Sequence, residues 1–190
     1  MKTVVIYGHP DYLNSFANKT ILEQFSKNCP DAEIRNIAQL YPDGKIDVET
    51  EQKKLLEADV LIFEFPFWWY SCPSIMHKYM EQVLTHNFAY GPEGNALQDT
   101  KFILSFTTGG NREAYTKDGY QHYTIEDFMP QFIAMSNLTG MQLVDTIVSY
   151  GMVIMDPSDT DHIAEVEKEA KEHGEKLAQL VARLYKFPNI

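Results

Sequence analysis

Residues 3–8, Thr-Val-Val-Ile-Tyr-Gly, form an apolar run without polar alternation, which is the pattern of a strand covered on both faces. Two further runs of this kind follow, Asp59-Val60-Leu61-Ile62-Phe63-Glu64 and Lys101-Phe102-Ile103-Leu104-Ser105-Phe106-Thr107. A shorter, weaker strand pattern lies at 32–37, and 142–149 reads as a last strand. Between these segments the apolar spacing changes to threes and fours. Ile21, Leu22 and Phe25 mark a helix from Phe16 to about Lys27. Ile75, Tyr79 and Val83 mark one that runs to about Leu84, with Pro73 in its first turn. Ile163, Val166, Ala170, Leu177 and Leu184 mark a long helix from Ser158 to about Tyr185. A charged helix over 48–58 and another over 125–139, with Pro130 near its start, complete the set. Residues 40–46, 87–97 and 111–123 read as loops.

Strand and helix therefore alternate five times, which predicts a parallel sheet with helices on both faces. For 190 residues without repeat or linker, the expectation is a single domain over 1–190. It is an α/β three-layer sandwich of flavodoxin-like type, with strand order 2-1-3-4-5 and a ligand site at the switch point beside the first strand. Three loops converge there: 9–18, 65–72 and 107–115.

Each of these loops carries candidate chemistry. In the first, His9 ends a strand, and Ser15, Phe16, Ala17 and Asn18 open a helix. Helix N-termini offer free N–H groups to a phosphate. The same residues also suit an ordinary strand–turn–helix with a capping serine. In the second, Pro66, Phe67, Trp68, Trp69 and Tyr70 place both tryptophans of the chain side by side between two prolines. That composition suits the wall of a pocket for a flat aromatic cofactor, or a core cluster or a dimer contact. In the third, Thr107-Thr108-Gly109-Gly110 lets the backbone come close to a ligand. Tyr115 and His122 follow and could donate hydrogen bonds or shuttle a proton.

Charge and composition narrow the picture. A formal net charge of −11 argues against nucleic acid and anionic membranes as partners. Cys29 and Cys72 show neither a disulfide framework nor metal-ligand spacing. Cys72 reads as a small buried residue. The histidines lack partners for a metal site, and no serine sits in a hydrolase elbow. The N-terminal apolar run is too short for a signal peptide and no run reaches membrane-spanning length, so the expected address is the cytoplasm.

The ordered set His9-Pro10…Ser15-Phe16-Ala17-Asn18, Phe65-Pro66-Phe67-Trp68-Trp69…Pro73-Ser74-Ile75, Phe88-Ala89-Tyr90-Gly91 and Thr107-Thr108-Gly109-Gly110 resembles the NAD(P)H:quinone oxidoreductase (DT-diaphorase-like) flavoprotein family. Its short bacterial branch, which includes the ancillary flavoprotein of glutathione-gated potassium efflux systems, is similar also at Asn18-Lys19, Glu33-Ile34-Arg35 and Leu40-Tyr41-Pro42-Asp43. The resemblance implies a homodimer with a flavin in each site and ping-pong transfer of two electrons from NAD(P)H to a quinone-like acceptor; the chain lacks the longer tail of the vertebrate enzymes, which favours FMN, with FAD as the alternative. It implies that His9 and Ser15 to Asn18 hold the flavin phosphate and that Pro66, Phe67, Trp68 and Trp69 line the ring. Thr107 to Gly110 would then bond the ring's pyrimidine edge, with Tyr115 near it. Two positions depart from the family pattern. Trp68 stands where glutamine is common. The family histidine that partners the tyrosine falls nearest Gln121, one residue from His122. The efflux likeness also implies a second role, as a flavin-binding regulatory subunit in contact with a membrane transporter.

Overall fold

The computed structural model describes residues 1–187. Five parallel strands form one sheet: β1 Thr3–Tyr7, β2 Glu33–Asn36, β3 Val60–Pro66, β4 Lys101–Thr107 and β5 Gln142–Ser149. Their order in space is β2-β1-β3-β4-β5, as the alternating pattern predicts. The helices are α1 Phe16–Asn28, α2 Ile37–Leu40, α3 Val48–Leu56, α4 Ser74–Val83, α5 Pro130–Thr139 and α6 Thr160–Lys186.

The strands read as unbroken apolar runs because both faces are buried. Val4, Ile6, Leu61, Phe63, Phe65, Phe102, Leu104 and Phe106 pack on one side with Met76, Tyr79 and Val83 of α4 and Phe132 of α5. Val5, Tyr7, Val60, Ile62 and Ile103 pack on the other, against Leu22 and Phe25 of α1 and Leu177, Val181 and Leu184 of α6. The two-residue period of a strand makes this division. Helices α1 and α6 touch closely at Gly174, where an added Cβ would lie 2.5 Å from the Ile21 carbonyl oxygen.

Several boundaries differ from the sequence reading. The helix expected over 125–139 is two pieces, a 3₁₀ turn Ile125–Phe128 and α5 from Pro130. Proline has no N–H to continue a helix but fits its first position, and the Asp127 carboxylate accepts from the Thr124 N–H at 2.7 Å to close the preceding turn. Pro73 stands just before α4 as its N-cap rather than inside the helix. The short α2 was not foreseen. It forms because the Asn36 side chain accepts from the Gln39 N–H at 3.2 Å.

The sequence also gives no hint of the buried charge at the β2 edge. Glu51 of α3 has no exposed surface. Arg35 grips it through Nε at 2.7 Å and Nη2 at 2.5 Å, and the hydroxyls of Tyr41 and Tyr79 donate to it at 2.6 and 3.2 Å. Every carboxylate oxygen thus has two donors, the condition under which a buried ion pair is tolerated.

Candidate active site

The C-terminal ends of β1, β3 and β4 open into a cleft of roughly 690 Å³. All three expected loops line it. From the first come His9, Ser15, Phe16, Ala17 and Asn18. From the second come Pro66, Phe67, Trp68 and Trp69. From the third come Thr107, Thr108, Gly109 and Gly110, with Tyr115 beyond. One expected residue is absent from the lining. His122 sits outside on the exposed loop at φ 60°, its Nδ1 3.4 Å from the Lys117 carbonyl oxygen, and Gln121 faces the cleft instead. His122 is thus not brought into the cleft, whereas Gln121, the position the family histidine falls nearest, is.

The phosphate-type end is built from α1. Ser15 is its N-cap, yet the hydroxyl makes no capping hydrogen bond. Ser15 is buried, and its Oγ has no partner among the described residues. A buried hydroxyl without a full hydrogen bond costs on the order of 1–3 kcal/mol, and the Tyr7 hydroxyl, buried and unpartnered like it, is close enough to interact with it. What opens on the cleft is the N-terminus of α1, whose free N–H groups are placed for an anion. A phosphoryl group therefore fits this end on the structure's own terms. His9 accepts from the Asp11 N–H through Nδ1 at 3.1 Å, which leaves Nε2 as its protonated nitrogen. Burial holds its pKa below the ordinary value.

The aromatic wall rests on a tight turn. Trp68 and Ser71 exchange both main-chain hydrogen bonds, at 3.0 and 3.1 Å. The two residues between them, Trp69 and Tyr70, have φ of 49° and 65°. Two successive positive φ values define a type I′ turn, which normally takes Asn-Gly. Large aromatics are strained there, by roughly 1–3 kcal/mol each. The turn leaves Trp69 93% exposed at the rim, while Tyr70 stacks on Phe128 at 5.3 Å. Trp68 meets His9 edge-on at 5.3 Å, so its ring joins the first and second loops.

The third loop is pinned by a fourth that the sequence reading missed. Thr108 N–H donates to the Ser149 carbonyl, Met152 N–H to Thr108 and Gly151 N–H to Gly110, all between 2.8 and 2.9 Å. This pairing carries Met152, Val153 and Ile154 into the cleft wall. Their signal was an apolar stretch directly after the last strand. A Cβ on Gly109 would find only Val153, at 3.7 Å, whereas one on Gly110 would crowd the Tyr115 ring at 3.1 Å. Tyr115 sits on a 3₁₀ turn, Arg112–Tyr115, whose N–H at Ala114 donates to the Asn111 side chain. Burial raises its pKa, so the phenol stays protonated and able to donate at neutral pH. Cys72 is buried and its thiol is pushed up to about 11 by burial. Among the described residues no group of three His, Cys, Asp or Glu side chains could hold a metal ion.

Comparison with known proteins agrees with this architecture. A family model described as a flavodoxin-like fold matches residues 1–174. General stress protein 14 of Bacillus subtilis is 38% identical, over 86% of this chain and 93% of its own length. An NAD(P)H oxidoreductase of the same organism, YrkL, is 33% identical over 87% and 94%. The potassium-efflux ancillary protein KefF of Citrobacter koseri is 39% identical over 64% and 69%. Among solved structures, general stress protein 14 of Treponema denticola, in complex with FMN, superposes with a TM-score of 0.84 at 26% identity, covering 96% of this chain and 99% of that one. An NADPH-quinone reductase from P. pentosaceus superposes with 0.74 at 25% identity, covering 92% and 98%. The chain belongs to the flavodoxin-like NAD(P)H oxidoreductase family.

Proposed function

We propose that this protein is an FMN-dependent NAD(P)H oxidoreductase that passes two electrons to a quinone-type acceptor. The observation that carries the reading is the convergence on one cleft of the N-terminus of α1, an aromatic wall and a Thr-Thr-Gly-Gly loop. FMN, when bound, would supply the acceptor for a hydride from NAD(P)H and the donor of two electrons to the quinone. The protein's own groups do the rest. Ser15 and the free N–H groups of α1 hold the FMN phosphate. Pro66 to Trp69 cover one side of the ring. Thr107 to Gly110 address its polar edge, and the Tyr115 hydroxyl donates to negative charge that gathers there. The donor nicotinamide and the acceptor use the same open side of the cleft in turn, which makes the kinetics ping-pong. The exposed rim of Trp69, Tyr120 and Tyr123 is suited to cover by a second copy, so the working unit is a homodimer. Among the described residues no helix is long and apolar enough to cross a membrane, and we place the enzyme in the cytoplasm.

The test is reconstitution with FMN followed by NADPH oxidation with benzoquinone. A yellow, stoichiometric complex with turnover and parallel-line double-reciprocal plots is the expected result. Flavin-loaded protein without turnover would end the enzyme reading. The likeness to KefF supports a second reading, a flavin-binding regulatory subunit docked on a potassium-efflux transporter, which flavin-loaded but catalytically silent protein would favour.

A further inference from the structure

The last row of the sheet on its α1/α6 face turns polar. Tyr7, Glu64 and Ser105 are neighbours there by register, and Thr107 pairs with Ser149 on the next strand. Glu64, Ser105 and His173 are buried to 1% exposure or less. They form one continuous chain. Glu64 Oε2 is hydrogen-bonded to Ser105 Oγ. Ser105 Oγ lies 2.8 Å from His173 Nε2. His173 Nδ1 lies 2.9 Å from Ser149 Oγ, and Ser149 Oγ donates to Glu169 Oε1 at 2.9 Å. At one end, Glu64 Oε1 accepts from Asn18 Nδ2 at 2.8 Å, and Asn18 lines the main cleft. At the other end, Glu169 lines a second cleft of about 500 Å³.

The four contacts of this chain need four protons, but Ser105, neutral His173 and Ser149 own only one each. If Ser105 gives its proton to Glu64, His173 Nε2–H donates to Ser105, Nδ1 accepts from Ser149, and the fourth proton sits on Glu169. If Ser149 gives its proton to Glu169, His173 Nδ1–H donates to Ser149, Nε2 accepts from Ser105, and the fourth proton sits on the Glu64 carboxyl. The neutral chain thus has two states that differ by one proton moved from end to end. Three other elements face Glu64, and none brings a cation to it: Tyr7 on β1, Asn18 on α1, and Ser105 with Thr107 on β4. On α6 the chain meets His173, which burial and the Lys176 charge keep neutral, and Glu169.

We propose that Glu64, Ser105, His173, Ser149 and Glu169 form a proton wire that loads one proton onto Glu64 when an anionic group binds above Asn18 in the main cleft. The transfer is balanced. Glu169 gives its proton to Ser149 Oγ, Ser149 gives its own to His173 Nδ1, His173 gives its Nε2 proton to Ser105, and Ser105 gives its own to Glu64 Oε2. Each middle member ends with the proton count it began with, and Glu169 is reprotonated from the second cleft. The physical reason is that a buried carboxylate one side chain beneath a bound phosphate would repel it at low dielectric, whereas a carboxylic acid would not. This inference rests on the flavin reading of the main cleft for the identity of the anion.

The test has two readouts besides activity. Calorimetric binding of FMN to the apoprotein at about pH 8.5, in two buffers of different ionisation enthalpy, counts protons taken up. Wild type should take up a fraction approaching one proton per FMN, and Glu64→Gln none. Equal FMN binding without proton uptake in wild type would overturn the proposal. Without FMN, a pH jump followed through the infrared carboxylic acid band of Glu64 reads the wire alone. The band should be missing in Glu64→Gln and should relax at least an order of magnitude more slowly in Ser149→Ala. Equal rates in Ser149→Ala and wild type would overturn the wire. If FMN does not bind at all, the flavin reading has failed, and the pH-jump rates still decide the wire.

Discussion

Glu64→Gln should stabilise the fold, increasingly so as pH rises. Burial pushes the Glu64 carboxyl from 4.5 up to about 8, against the smaller opposing pull of its hydrogen bonds to Ser105 and Asn18. The folded chain therefore holds a proton that the unfolded chain releases above pH 4.5. Folded pKa above unfolded pKa means stability is fully present below the unfolded value and drains away as pH rises through the folded one. Each pH unit costs about 1.4 kcal/mol, so the loss is ~3 kcal/mol at neutral pH and ~5 kcal/mol above the folded pKa. A glutamine keeps both contacts, accepting from Asn18 and donating to Ser105, and carries no titration. His173 tilts the opposite way. Burial lowers it from 6.5 to about 3, so its share of stability is lost as pH falls through that window. Between about pH 4.5 and 6.5 the two slopes cancel in wild type, while the variant should gain stability with pH there. Urea unfolding at a series of pH values, without added flavin so that ligand linkage does not enter, measures the gap. A gap that stays constant from about pH 5 to about pH 8 would refute the assignment of a protonated Glu64.

Three further outcomes can be measured directly. Glu51→Ala leaves the buried Arg35 guanidinium with Glu33 as its remaining carboxylate partner and should cost about 3 kcal/mol in urea unfolding; a loss under about 1 kcal/mol would mean that Glu33 and water satisfy Arg35. Gly109→Leu should fold normally, since its Cβ has room, yet fill the cleft and abolish FMN retention on desalting; normal flavin content would remove Gly109 from the ring edge. Tyr115→Phe should retain FMN but slow flavin bleaching by NADPH roughly tenfold or more in stopped flow, and an unchanged rate would take Tyr115 out of the reaction.

Much of this molecule is determined locally. Apolar runs without alternation at β1, β3 and β4 mark strands buried on both faces, and alternation with helices then leaves few topologies. The three loops at the strand ends follow from that order alone, which is why their residues line one cleft. Other features needed three dimensions. Gln121 and not His122 lines the cleft, in a loop whose backbone turns left-handed at His122. The type I′ turn under Trp69 and Tyr70 breaks residue preference and so could not be anticipated from it. The polar chain below the cleft depends on register. Between Phe102 and Ile103 the pairing of β4 with β5 slips by one residue, so that Ile103 meets Asp145 and not Val144. A slip of one exchanges the faces of every residue beyond it. That slip turns Ser149 toward His173 of α6, so the chain from Glu64 reaches Glu169. Composition and spacing carry no trace of it, because cross-strand pairing is decided by how the whole sheet closes and not by any one strand.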